Sequence, residues 1–143
     1  MKNYNIISVS GGKDSTATLL LAIERGAENL RAVFADTGNE HPQTLDYLAY
    51  LAEATGIAIR RIAADFSSQI ERRRKMMQAV IDGIHVQRGV YDWTPEIART
   101  ALEILHPTGN PFLDMCLVHG RFPSTMVRFC TTELKVWPIT KQV

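Results

Sequence analysis

Ser8-Val9-Ser10-Gly11-Gly12-Lys13-Asp14-Ser15 follows the apolar run Tyr4-Asn5-Ile6-Ile7 and leads into Thr16-Ala17-Thr18-Leu19-Leu20-Leu21-Ala22-Ile23. A short β-branched run that breaks at two glycines into a helix-forming stretch predicts strand, tight turn, helix. A turn of that kind makes an anion site. Gly11 and Gly12 are free to adopt positive φ and to let a ligand approach the backbone, while the unsatisfied N–H groups opening the helix point at the same place. Lys13 adds a mobile cation, and Ser10 and Ser15 add hydroxyls. Phosphate is the occupant this chemistry suits.

Spacing removes the commonest alternatives. A Walker A loop carries a glycine five residues before its Gly-Lys pair, where Ile7 stands here, and Ser or Thr after the lysine, where Asp14 stands. The G-x-G-x-x-G dinucleotide fingerprint is absent as well. The stretch resembles the S-G-G-x-D-S signature of the PP-loop ATP pyrophosphatases, matched at Ser10, Gly11, Gly12, Asp14 and Ser15. In that superfamily the loop holds the pyrophosphate of ATP, and chemistry occurs between the α- and β-phosphates. A glycine turn that merely joins strand to helix is the plainer alternative, and the complete hexamer argues against it.

Composition sets the frame. A chain of 143 residues, 45% hydrophobic and 22% charged, suits one domain with a real core. A net charge of +1 offers no bulk electrostatic argument for nucleic acid or an anionic membrane. The sequence enters a strand within a few residues, carries no signal-peptide pattern and contains no apolar stretch long enough to span a bilayer, so a cytoplasmic protein is expected. Cys116 and Cys130 are the only cysteines. They are too few for a disulfide framework and are expected as thiols.

Along the chain, a first helix is predicted from Asp14 or Ser15 to Arg25 with Gly26 as its stop, then a strand over residues 30–35. Thr44 to Thr55 reads as an amphipathic helix with Leu45, Leu48, Leu51 and Ala52 on one face, stopped by Gly56; residues 57–62 read as a third strand. Strand-helix alternation predicts an α/β fold with a parallel sheet and right-handed crossovers. A helix is predicted over residues 67–84, with Ile70, Met77, Val80, Ile81 and Ile84 inward. Its Arg72-Arg73-Arg74-Lys75 run reads as a solvated face. Residues 83–92 read as irregular. Thr94 and Pro95 then open a helix burying Ile97, Ala101, Leu102 and Leu105, and Asn110-Pro111 opens a shorter one ending at Gly120.

Between the second strand and its helix lies Asp36-Thr37-Gly38-Asn39-Glu40-His41-Pro42. A polar cluster at the carboxyl end of a parallel strand, beside a phosphate loop on the preceding strand, is where a doubly wound sheet places ligand contacts. Asp36, Thr37, Gly38, Pro42 and Thr44 match the D-T-G-x-x-x-P-x-T pattern of the PP-loop branch that contains the sulfonucleotide reductases and the small subunit of ATP sulfurylase. A polar loop capped by Asp36 is the structural alternative. A third stretch, from Phe122 to Ile139, resembles the R-x-C-T-x-x-L-K-x-x-P segment of the same branch, matched at Arg128, Cys130, Thr131, Leu134, Lys135 and Pro138. Relatives that use adenylyl sulfate carry a Cys-Cys pair near this position for a [4Fe–4S] cluster. Here Phe129 precedes a single cysteine, and two cysteines do not supply the four thiolates a cluster takes.

Cys130 is nonetheless a candidate reactive thiol, with Arg128 and Lys135 near it in sequence; the alternative is a packed helix-start residue. Cys116 and His119 form a C-x-x-H pair that is weak as a zinc signal on its own, so no metal site is expected and Cys116 reads as core. His41 and His106 read as loop residues.

The chain is thus similar to the phosphoadenosine-phosphosulfate-reductase-like family of PP-loop proteins, through three motifs in the family's order. The resemblance implies a Rossmann-like sheet of order 3-2-1, with later strands of the family absent from this length of chain. It implies a small-molecule nucleotide ligand, ATP or an adenylyl sulfate, with Mg²⁺ accompanying ATP. The nucleotide contacts it implies are Ser8, Ser10, Gly11, Gly12, Lys13, Asp14, Ser15, Asp36, Thr37, Arg128 and Lys135; Lys13, Asp14 and Cys130 are the implied catalytic residues. It further implies a role in sulfur metabolism or sulfur transfer, a thiol-donor protein as partner, and either self-association or a missing C-terminal half. The reductases themselves typically show an eroded loop. The intact loop here argues for ATP. Reduction of an adenylated sulfate stays open, and beside it an ATP pyrophosphatase that adenylates an acceptor for sulfur transfer, as in the DNA-phosphorothioation relatives. A non-catalytic nucleotide-binding fragment is the remaining class.

Overall fold

The computed structural model describes residues 3–84, 87–88 and 91–142. The chain divides into two compact units, Met1–Ala64 with Arg128–Val143, and Asp65–Val127.

The first unit is built on three parallel strands, β1 (Asn5–Ser8), β2 (Leu30–Asp36) and β3 (Ile59–Ala63), in spatial order β1-β2-β3. The helices α1 (Lys13–Glu24) and α2 (Pro42–Thr55) form the two crossovers. This is the α/β arrangement that the strand-helix alternation predicts and the 3-2-1 order that the family resemblance implies. Register follows from the crossovers, with Ile7 opposite Ala32 and Phe34 opposite Arg61. β2 is the central strand, and Ala32, Val33, Phe34 and Ala35 are all buried. That unbroken apolar run is how a parallel strand covered on both faces reads. The core gathers Val9, Leu19, Ala32, Phe34, Leu48 and Leu51. α2 stops where Gly56 turns left-handed at φ 68°, as expected.

The C-terminal stretch returns to this unit. Helix α6 (Phe129–Thr131) runs into a π-helical turn at Thr132–Val136 and then into α7 (Trp137–Gln142). The widened turn has an identifiable cause in Pro138, which is buried. A proline inside a helix lacks the N–H and crowds the carbonyl four residues earlier, here that of Leu134, and an added residue per turn relieves the clash. Leu134 is 1% exposed. Arg60 of β3 ties the end of α7 down by donating to the Gln142 carbonyl at 3.1 Å and to its Oε1 at 3.3 Å.

The second unit holds α3 (Ser67–Ile81), the short antiparallel pair β4 (Gln87–Arg88) and β5 (Tyr91–Asp92), α4 (Pro95–Ile104) and α5 (Pro111–His119). Met77, Val80 and Ala98 form its core, with Trp93, Leu102 and Leu105 against it. The caps are those the sequence predicts: Thr94 Oγ1 accepts from the Ile97 N–H, and Asn110 Oδ1 from those of Phe112 and Leu113.

Four local readings need correction. The predicted helix over 67–84 ends at Ile81, and Ile84 is 60% exposed rather than inward. Ile97 is also exposed, because Ala98 is the residue of α4 that faces the core. The irregular 83–92 stretch contains the β4–β5 pair, too short to leave an alternating pattern; residues 85–86 and 89–90 lie outside the described residues. Arg74, read as part of a solvated run, donates to the carbonyls of Leu102 and Leu105, both at 2.8 Å, satisfying groups that the end of α4 leaves over. No described helix is long and apolar enough to cross a membrane.

Candidate functional site

β1 effectively extends one residue further, since the Val9 N–H donates to Val33 O at 2.8 Å, and the chain then leaves the sheet at Ser10. The loop that follows is stapled by Ser15. Its hydroxyl donates to Gly12 O at 3.0 Å and accepts from the Ser10 N–H at 3.1 Å. With that proton spent on Gly12, the 3.2 Å contact between Ser10 Oγ and Ser15 Oγ has Ser10 as donor. The hydroxyl protons that the sequence reading offers to a ligand therefore serve the loop itself.

The backbone donors remain. Gly12 is the N-cap of α1, and its carbonyl accepts from the Thr16 N–H at 3.1 Å. The N–H groups of Gly12, Lys13 and Asp14 find no acceptor among the described residues. Those groups open a twelve-residue helix and carry the positive end of its dipole. Lys13 and Asp14 are exposed.

The two glycines differ. Gly11 is left-handed, at φ 79°, and a Cβ there would stand 2.9 Å from Thr44 Cγ2. Gly12 has φ −82° and ψ 160°, not the positive φ open to both glycines, and its Cβ would meet Ser10 Oγ at 3.5 Å, an ordinary contact. The fold thus requires glycine at position 11 and has no use for it at position 12. Thr44, noted in the sequence only as a pattern match, is the floor under the loop. Tyr47, one turn along α2, donates to Thr16 Oγ1 at 3.2 Å and braces the start of α1.

At the carboxyl end of β2, Asp36 is committed on both oxygens. Oδ1 accepts from the Gly38 N–H at 2.9 Å, and Oδ2 takes Arg61 Nε at 2.8 Å and Nη2 at 2.6 Å. Thr37 Oγ1 donates to Glu40 Oε1 at 2.7 Å, and His41 Nδ1 accepts from the Gln43 N–H at 3.2 Å, making His41 the N-cap of α2. Arg61 escaped the sequence reading. The signal was an Arg-Arg pair inside an apolar strand, but only the register of β3 on β2 tells which arginine reaches Asp36.

Ser8 is exposed at the end of β1, and Arg128 and Lys135 are exposed on the C-terminal helices. All three belong to the unit that carries the loop, as does the half-buried Cys130. Cys116 is buried on α5, in the other unit. The two thiols of this chain do not make up a four-thiolate cluster set. Among the described residues no group of three or more His, Cys, Asp or Glu side chains is arranged to hold a metal.

The model of the phosphoadenosine phosphosulfate reductase domain matches residues 4–82. An uncharacterized 37.8 kDa protein from the gpa 5′ region of Escherichia phage 186 is 50% identical over 133 residues, which cover 92% of this chain and 39% of that protein. The uncharacterized nin region protein ORF290 of Escherichia phage lambda is 28% identical over 139 residues, covering 96% of this chain and 41% of its own. The chain therefore spans about two-fifths of the length of these curated relatives. No solved structure matches it.

Proposed function

Since the chain belongs to the phosphoadenosine phosphosulfate reductase domain family, we propose that its Ser10–Ser15 loop binds the phosphates of ATP. The observation that carries this reading is Gly12: it lies in a conformation open to any residue, with room for a Cβ, beside three backbone N–H groups that find no acceptor among the described residues. A glycine that the fold does not need is explained by a ligand that must come within contact distance of the backbone. Lys13 supplies the mobile charge against the same phosphates. ATP is preferred to an adenylyl sulfate because the S-G-G-x-D-S signature is complete and the helix-opening N–H groups of Gly12, Lys13 and Asp14 suit a pyrophosphate.

In this reading Ser8 and Ser10 flank the phosphates, Asp36 and Thr37 lie beside the nucleotide, and Arg128 and Lys135 receive the anionic end of the acceptor. A nucleophilic oxygen or sulfur of the acceptor attacks the α-phosphorus; the α–β bridge bond breaks, and pyrophosphate leaves with the electron pair. Asp36 acts through its neighbours, since both its oxygens are engaged. Mg²⁺ fits as an ion brought by the triphosphate, because such sites take one or two carboxylates and complete themselves with phosphate oxygens; Asp14 is the carboxylate in the first turn of α1. The acceptor chemistry belongs to sulfur transfer, and Cys130 is the thiol of this chain assigned to it.

Labelled ATP followed by thin-layer chromatography tests the reading. Release of AMP and pyrophosphate supports the pyrophosphatase, and saturable binding without release supports a nucleotide-binding module. Gly12→Val should lose nucleotide binding while circular dichroism stays nearly unchanged. A folded Gly12→Val protein with full ATP affinity would sink the assignment.

A further inference from the structure

The side-chain charges around the proposed phosphate loop are unfavourable for an anion. The stretches that follow β1 and β2, residues 10–15 and 36–41, carry one lysine, Lys13, against the three carboxylates of Asp14, Asp36 and Glu40. They leave the same end of the sheet from neighbouring parallel strands, whose axes lie about 4.8 Å apart. At low salt the screening length is about 10 Å or more, so charges placed so closely act together on whatever enters between them. The N-terminus of α1 returns only about half a positive charge.

The third strand supplies what is missing. Arg61 stands opposite Phe34 in the register of β3 on β2, and its guanidinium reaches back to Asp36, with Nε at 2.8 Å and Nη2 at 2.6 Å from the same Oδ2. Glu40 Oε1, by contrast, is met by the Thr37 hydroxyl rather than by a cation. A pair whose arginine side chain is 58% exposed adds little to folding stability. Its larger effect is on the field at this end of the sheet. We propose that Arg61 is the charge-balancing residue of the phosphate site: by neutralising Asp36 it lets the loop accept a polyanion, without itself touching the ligand. The inference rests on the reading of the loop as an ATP site and adds to it a residue from a strand that carries none of the sequence motifs.

Calorimetric titration with metal-free ATP tests it, with circular dichroism as the check on folding. Arg61→Gln should weaken ATP binding by about tenfold at low salt, as expected when a tetra-anion meets one uncompensated charge about 10 Å away in water. That loss should largely vanish at about 1 M NaCl, where the screening length is about 3 Å. Arg61→Lys, which keeps the charge but not the forked contact, should stay close to the parent, and adding Asp36→Asn to Arg61→Gln should restore the affinity. Asp36→Asn alone, which keeps an oxygen for the Gly38 N–H, should bind ATP more tightly than the parent, and this holds the test open if Arg61→Gln does not fold. Parent-like affinity in folded Arg61→Gln, a loss indifferent to salt, a loss as large in Arg61→Lys, a double variant that stays weak, or weaker binding by Asp36→Asn would each overturn the proposal while leaving the loop reading in place. A parent chain that binds no ATP would remove both.

Discussion

A Cβ at Gly11 would press on Thr44 Cγ2 at 2.9 Å from a left-handed backbone, while one at Gly12 would rest 3.5 Å from Ser10 Oγ. Gly11→Ala is accordingly expected to cost about 1–3 kcal/mol in urea denaturation, from the positive φ and the contact together. Gly12→Ala should stay within about 1 kcal/mol of the parent, the cost of a poorer N-cap. Equal losses at both positions would show that the fold, not a ligand, demands the second glycine. The glycine pair is visible in the sequence; the division of labour is not, because it depends on α2 bringing Thr44 under one glycine and not the other. Asp36 makes the same point. Its aspartate is legible as a strand-end polar residue, but its partner Arg61 is 25 positions away and set by register. The Arg61 side chain is 58% exposed, so the pair is worth about 0–1 kcal/mol and matters more as a positioning device than as a source of stability. The cysteines differ in access. Cys116 is 8% exposed and Cys130 is half-buried, so iodoacetamide at pH 7 should label Cys130 first. Equal, slow labelling of both would return Cys130 to a packing role.

Helix α3 has Phe66 as its N-cap, with a carboxylate one residue before it. Asp65 Oδ1 accepts from the Ser67 N–H at 2.9 Å, and the Ser67 hydroxyl and N–H together hold Asp65 below its ordinary value of 3.8. A carboxylate with a lowered folded-state value stabilises the fold fully above the unfolded value and loses that contribution as pH falls through the lowered one. Asp65→Ala should therefore cost only about 0.5 kcal/mol at pH 7, because solvent screens so exposed a carboxylate, and the gap to the parent should close as pH falls below 3.8. A gap independent of pH from 7 to 2.5 would mean that the side chain acts by something other than its charge. Helix starts capped by Thr94 and Asn110 are among the most readable features of the chain; the Asp65 contact before α3 escaped the sequence reading. Helix ends and faces are less so. Ile84 continues the apolar period of α3, yet Gly83, at φ 83°, has already turned the chain out of the helix. The π-helical turn before Pro138 left no periodic trace at all, since five residues are too few to show a change of pitch.

At the scale of the whole molecule, β1 is the edge of the three-stranded sheet. Its four residues pair with β2 on one side, and among the described residues no strand pairs with them on the other. Ile6 is 39% exposed, and α1, which packs on β1 and β2, leaves Leu20 at 49% and Leu21 at 43%. The family resemblance places a further strand beside this one, and the curated relatives are more than twice the length matched here. Such an edge presents unpaired N–H and C=O groups next to apolar side chains, the combination that recruits another strand. The strand-helix alternation made the parallel α/β arrangement legible and the family resemblance implied the order of the three strands, but the consequences of an open edge depend on what lies against it, which periodicity does not encode. The chain by itself is expected to associate through β1, so static light scattering should give a mass that rises with concentration. Ile6→Lys, which sets a charge on the edge without touching the phosphate loop, should restore the monomer and leave circular dichroism unchanged. A monomer at every concentration that still turns over ATP would show that β1 needs no neighbour, and that the three strands with their two crossovers suffice for the site.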